Sequence, residues 1–142
     1  MANAPATSVS AYEMIMSLIK TEVIHTAEII NYKLKVNKKN ESINLSEIKE
    51  FPTTISRQYV DRKLYELYYA LRRLKEQLQE LRSSLEDEED YSTIISSWDM
   101  RVFNKISVLL AIIYQWMGED YQEKINEDED NDYDGYLTGI FA

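Results

Sequence analysis

The 142 residues carry 25 acidic and 16 basic side chains, a net charge of −9, and no cysteine, which excludes a disulfide framework, a thiolate zinc site and a thiol nucleophile. Three glycines are too few for a dinucleotide-binding or P-loop phosphate cradle, so nucleotide hydrolysis is excluded as well. The length suits one domain with a tail, and the opening MANAPATSVS lacks the basic and apolar blocks of a secretory signal, so a cytoplasmic protein is expected.

The charge is uneven along the chain. Residues up to Leu85 carry 13 of the cations and 10 of the acids, whereas the remainder carries 3 and 15. An acidic half of that kind disfavours direct nucleic-acid binding driven by phosphate neutralisation. Residues 1–9 are expected to be a flexible N-terminus. Ser10 to Glu13 has the spacing of a capping box, which predicts a helix start. Behind it Tyr12, Ile15, Ile19, Val23, Ala27, Ile30 and Leu34 recur every three or four residues, one apolar stripe along a helix. The polar KVNKKNESIN then reads as a surface loop, and Ser46 as the cap of a short turn closed by Pro52.

From Ile55 a leucine seam runs through Val60, Leu64, Leu67, Leu71, Leu74, Leu78, Leu81 and Leu85 in steps of three and four. Such a seam fits either a self-associating coiled coil or one long helix of an intramolecular bundle. Tyr65, Tyr68 and Tyr69 widen the stripe in its first half and favour the bundle. Only leucines remain apolar in the second half, which marks that end as an expected oligomer contact. EDEED, at 86–90, reads as a solvated turn. The run ISVLLAIIYQWM, 106–117, is apolar on nearly every helical face and predicts a buried central helix, too short to span a bilayer. Gly118 is the expected stop. Beyond it, GEDYQEKI is expected to add a loose final turn or two before order ends, so that 119–134 reads as an acidic linker, disordered from Asn126 onward, and 135–142 as a terminal interaction peptide. The expected fold is all-α: an antiparallel bundle of three to four helices over 10–118 with an acidic tail.

Catalytic residue types are scarce, and no catalytic, cofactor-binding or metal-binding residues are expected. His25 is the only histidine and lies beside the first apolar stripe, where a structural role is expected rather than a general base. Asp130, Asp132, Asp134 and Gly135 spell the first half of a calcium loop, but Phe141 stands where the bidentate glutamate is needed. The expected partner-binding residues are instead Tyr65, Tyr68, Tyr69, Arg72 and Arg73, since aromatics and arginine usually carry most interface affinity.

Two resemblances sharpen this. Asp134 to Phe141, DGYLTGIF, resembles the PIP box by which proteins dock on the sliding clamp PCNA. Leu137 would be the aliphatic plug and Ile140 with Phe141 the paired anchors of a 3₁₀ turn. Asp134 stands in place of the usual glutamine and Ile140 in place of the first aromatic. The segment from Tyr12 to Glu22, the tyrosine-rich helix from about Tyr59, and Arg101, Asn104, Lys105, Ile106 and Ala111 in RVFNKISVLLA resemble the helical domain of GINS, in its archaeal subunit with the helical part first. The family's acidic-Phe-Tyr signature and its small β-domain have no counterpart here. That resemblance implies a non-catalytic scaffold subunit of a replication complex, paired with a second GINS-type subunit and bridging the MCM helicase to a RecJ-like protein. The competing expectations are a helical adaptor unrelated to GINS that docks on PCNA through its terminal peptide, and a small helical subunit of a viral or CRISPR-type assembly.

Overall fold

The computed structural model describes residues 4–97 and 99–129, with side-chain surroundings from Val9 onward. All regular structure among them is helical. The first rod comprises α1 (Ala4–Leu18), a π-helical segment (Ile19–Ile24) and α2 (His25–Val36), joined without leaving helical backbone geometry at Leu18 or His25. It is followed by α3 (Ser46–Lys49), a 3₁₀ turn (Arg57–Tyr59), α4 (Val60–Leu85), α5 (Tyr91–Ile94) and α6 (Arg101–Trp116). A final helical run, α7, covers 119–129.

The π-helical segment follows from the spacing of the apolar stripe. Ile15, Ile19, Val23 and Ala27 are four residues apart three times in succession, and in a regular α-helix each such step drifts by about 40°. The wider π turn absorbs that drift. All four side chains consequently stay in the core, between 0% and 1% exposed.

Side-chain bridges fix the topology. Lys33 Nζ lies 3.0 Å from Asp99 Oδ2 and Lys105 Nζ 2.7 Å from Glu22 Oε1, so the first rod and α6 run antiparallel. Lys75 Nζ donates to Ser107 Oγ (2.8 Å) and the Gly118 amide to Asp61 Oδ1 (3.2 Å), so α6 is also antiparallel to α4. The first rod and α4 are therefore parallel, and residues 37–59 must return the chain the full length of the bundle. That return descends along α4: the Asn44 amide donates to Gln77 Oε1 (2.8 Å), Arg73 grips Glu47, and Lys63 Nζ lies 5.9 Å from the Phe51 ring. The loop itself is anchored by Asn31, whose side chain donates to the Ile43 carbonyl (2.9 Å) and accepts from its amide (2.7 Å). Tyr12 donates to the Pro52 carbonyl at the opposite end (2.7 Å).

All seven leucines from Leu64 to Leu85 are buried, none more than 6% exposed, so the seam belongs to an intramolecular bundle. The distal half, expected as an oligomer contact, is covered as well: Leu78, Leu81 and Leu85 join one core with Leu34, Ile43, Leu45 and Ile94. The central helix is less enclosed than its composition suggested. α6 buries Val102, Ile106, Leu109 and Ile113, while Val108 is 58% exposed and Ala111 and Gln115 face solvent.

Helix ends differ most from expectation. Residues 1–9, read as flexible, are helical from Ala4, because Pro5 is tolerated in a first turn where its missing N–H has no helical acceptor. Ser10 is thus inside α1 and caps nothing. The reciprocal cap is at Ser96: its Oγ accepts from the Asp99 amide and Asp99 Oδ2 accepts from the Ser96 amide, both at 3.1 Å. At α3 the capping side chain is Asn44, whose Oδ1 accepts from the Ser46 amide (2.9 Å) and hydroxyl (2.7 Å). The EDEED segment does form a turn, but it is tethered: Lys39 binds Glu88 and lies 3.3 Å from Asp90.

The linker expected at 119–134, with a loose turn or two at its start, is helical over 119–129, so the ordered unit extends past 118 and past Ile125, the expected end of order. Tyr121 and Ile125, one helical turn apart, bring apolar surface to the bundle, and Ile125 is fully buried. α6 does stop near the expected place, at Trp116, with Met117 extended. Gly118 lets Asp61 approach closely, since a Cβ on it would sit 2.8 Å from Asp61 Oδ2 and push that carboxylate aside. Among the described residues no helix is long and apolar enough to cross a membrane.

Candidate interaction surface

The helical period of α4 sets Tyr65, Tyr68, Tyr69 and Arg72 at positions i, i+3, i+4 and i+7, on one side of the helix away from the leucine seam. Tyr65 and Tyr69 meet edge to face with ring centroids 5.2 Å apart, and Tyr68 and Tyr69 do so at 5.6 Å. The Arg72 guanidinium lies over two of the rings, 5.8 Å from Tyr68 and 5.5 Å from Tyr69, in cation–π range. The result is an aromatic shelf with a cation at its end. These are four of the five residues singled out on this helix as partner-binding.

The shelf is not bare. α7 lies across it, with the Tyr121 ring 5.0 Å from Tyr65 and Lys124 Nζ 5.0 Å from Tyr121 and 5.9 Å from Tyr65. Tyr69 donates to Asp128 Oδ2 (2.7 Å), Tyr68 to Glu129 Oε1 (3.4 Å), and Arg72 lies 3.7 Å from the same Glu129 oxygen. Burial, and then the acceptor carboxylates, push the hydroxyls of Tyr68 and Tyr69 above the ordinary tyrosine range, so both stay protonated donors. On the α6 side Tyr114 donates to Asn126 Oδ1 (3.0 Å), and Gln122 Nε2 donates to the Tyr114 carbonyl (2.7 Å). Sequence reasoning missed Tyr114, Tyr121, Ile125, Asp128 and Glu129. The available signal was the Tyr121–Ile125 spacing, hidden within an acidic run.

Arg73, the fifth residue, lies at the edge of the shelf toward α3, in one groove with Tyr65 and Tyr69. Its Nε and Nη2 grip Glu47 Oε1 and Oε2 at 3.0 and 2.5 Å, a bidentate pair that lowers the Glu47 carboxyl below its usual range. It closes a surface groove of about 530 Å³ that also holds Phe51, Lys63, Tyr65 and Glu66. Leu137, Ile140 and Phe141, and the Asp130–Gly135 calcium-loop fragment, lie outside the described residues. Among the described residues no group of three or more His, Asp or Glu side chains is arranged to hold a metal ion. His25 is exposed.

The described residues leave a second surface uncovered. Ile29, Tyr32 and Val36, at i, i+3 and i+7 on the solvent side of α2, are 36%, 68% and 57% exposed. Met14 on α1 and Val108 on α6 are exposed apolar residues as well, 52% and 58%. Comparison with protein-family models, with characterised proteins and with solved structures gives no match.

Proposed function

We propose that this chain is a non-catalytic scaffold subunit of a DNA-replication complex of the GINS type, which pairs with a second small helical subunit and bridges the MCM helicase to a RecJ-like partner. The observation that carries this reading is the role of α6. The RVFNKISVLLA segment behind the resemblance forms the helix that packs on both the first rod and α4, with Ile106 fully buried at its centre. Lys105 ties α6 to the first rod through Glu22. Ala111 departs from the pattern, being exposed here.

The bare α2 stripe supplies the contact such a subunit needs. Tyr32 and Val36 present apolar area that the described residues leave exposed, and a scaffold gains affinity by burying it against a neighbour. Co-expression with the second small helical subunit of the same cell and measurement of native mass test the proposal. A stable complex is expected, lost on Tyr32→Glu with Val36→Lys while the melting temperature of the isolated chain holds. A monomer with no affinity for that subunit overturns it.

A further inference from the structure

The α4 shelf is built as a receptor for a helix, and the structure displays one occupant. α7 meets it with an aromatic and an aliphatic residue one turn apart, Tyr121 and Ile125, followed by two adjacent carboxylates, Asp128 and Glu129, that take the hydroxyls of Tyr69 and Tyr68 and approach Arg72. The Tyr65 ring receives Tyr121, the core receives Ile125, and donors of fixed position receive the acids. That is recognition of a pattern.

The occupant is lightly held. Ile125 is the only fully buried side chain of α7. Its six acidic residues, Glu119, Asp120, Glu123, Glu127, Asp128 and Glu129, are all exposed and repel one another. The connection to α6 is the short Met117–Gly118 hinge, extended at Met117 and pinned by the Gly118 amide to Asp61. An element with one core anchor and mostly solvated bonds belongs to the low-stability end of a fold, where local opening is easiest.

We infer that the Tyr65–Tyr68–Tyr69–Arg72 shelf is a docking site for an acidic amphipathic helix of a partner protein, masked in cis by residues 119–129. The partner segment carries an aromatic and an aliphatic residue four apart and a carboxylate pair three to four residues further on. α7 competes with it for the same donors, so the shelf opens only to a segment presented at high local concentration or bound elsewhere on the scaffold. The inference rests on the scaffold reading for the existence of such a partner, whereas the docking chemistry is a property of this chain alone.

A fluorescent peptide of residues 118–129 is the probe, titrated into the full chain and followed by anisotropy. Wild type is expected to bind weakly, because its shelf is occupied. Ile125→Asp in the chain releases α7 and should tighten peptide binding at least about tenfold, since apparent affinity scales with the open fraction. Adding Tyr69→Phe and Arg72→Ala should abolish the gain. The exposed pair Asp128→Ser with Glu129→Ser loosens α7 without touching the core, and it decides by the same outcomes if Ile125→Asp unfolds the bundle. Equal binding by wild type and the released chain overturns the inference, as does a gain that survives Tyr69→Phe with Arg72→Ala. A released chain that takes a single-stranded oligonucleotide and not the peptide also overturns it. Native mass with the second helical subunit is measured separately, so either idea can fail alone.

Discussion

Deleting one residue from the middle of a helix normally rotates everything beyond it by about 100° and empties the core face. The first rod predicts an exception at its π-helical segment. Its core positions run Ile15, Ile19, Val23, Ala27, Ile30 and Leu34, spaced 4, 4, 4, 3 and 4, and removal of exposed Thr21 turns this into 4, 3, 4, 3 and 4, the regular α-helical alternation. The π turn then has nothing to absorb and should revert to α-helix with both halves of the stripe in register. Thr21 contributes only a hydroxyl bond to the Ser17 carbonyl (2.9 Å). Deletion of Thr21 should therefore change stability by less than about 2 kcal/mol. Deletion of exposed Glu28, seven residues on in regular helix, is the control. It swings Ile30 and Leu34, 2% and 1% exposed, out of the core and brings Asn31 and Lys35 toward it. At about 2–5 kcal/mol for each lost apolar side chain the sum rivals the whole stability of a domain. Urea unfolding followed by far-ultraviolet circular dichroism separates the two, with a cooperative transition expected only for the Thr21 deletion. Equal loss in both variants would refute the drift argument.

Leu74→Ala, at a seam position 2% exposed, should cost about 2–5 kcal/mol in urea unfolding with native mass unchanged. Asp99 is 4% exposed and both closes the turn before α6, through the Ser96 amide, and holds Lys33, so Asp99→Ala should cost about 2–4 kcal/mol, and a double-mutant cycle with Lys33→Met should return a coupling of about 1 kcal/mol because Lys33 is partly solvated. Burial, helped by the negative charge of Glu66, raises the Tyr12 hydroxyl from 10.0 to about 12. Its stabilisation is thus complete below pH 10 and disappears as pH rises toward about 12, so alkaline unfolding should fall in that window and shift in Tyr12→Phe, read by circular dichroism beside the tyrosinate absorbance.

The long apolar stripes were legible because burial imposes the helical period on them: the leucines of α4 and the stripe from Tyr12 to Leu34 are all core. What competed locally was not. Ser10–Glu13 and Ser96–Asp99 share the capping-box spacing, and only the tertiary position of Asp99 beside Lys33 selects the second. The three successive four-residue steps from Ile15 to Ala27 were visible, yet their meaning needed the geometry of a π turn. α7 was legible only as a loose turn or two because its six acids outweigh Tyr121 and Ile125 in any composition argument, while the energy of docking resides in those two and in Tyr69 and Tyr68, which lie 59 and 61 residues from their acceptors. The shelf was likewise legible as an aromatic face, but not its cover.

Lys39 clasps the turn at Glu88 and Asp90 where two loops meet at one end of the bundle, while at the opposite end the chain is closed by the neutral bond of Tyr12 to Pro52, the ion pairs there, Arg62 and Lys63 with Glu66, lying within α4 and joining no two segments. Mobile ions act on these ends differently, since at physiological ionic strength charges are screened over about 8 Å and neutral contacts are not. Raising salt should therefore free the Lys39 end ahead of the rest, visible as faster amide exchange around Glu88 and Tyr91 with no change near Tyr12. The clasp at one end thus weakens with ionic strength, whereas the Tyr12–Pro52 hydrogen bond at the other is neutral and holds.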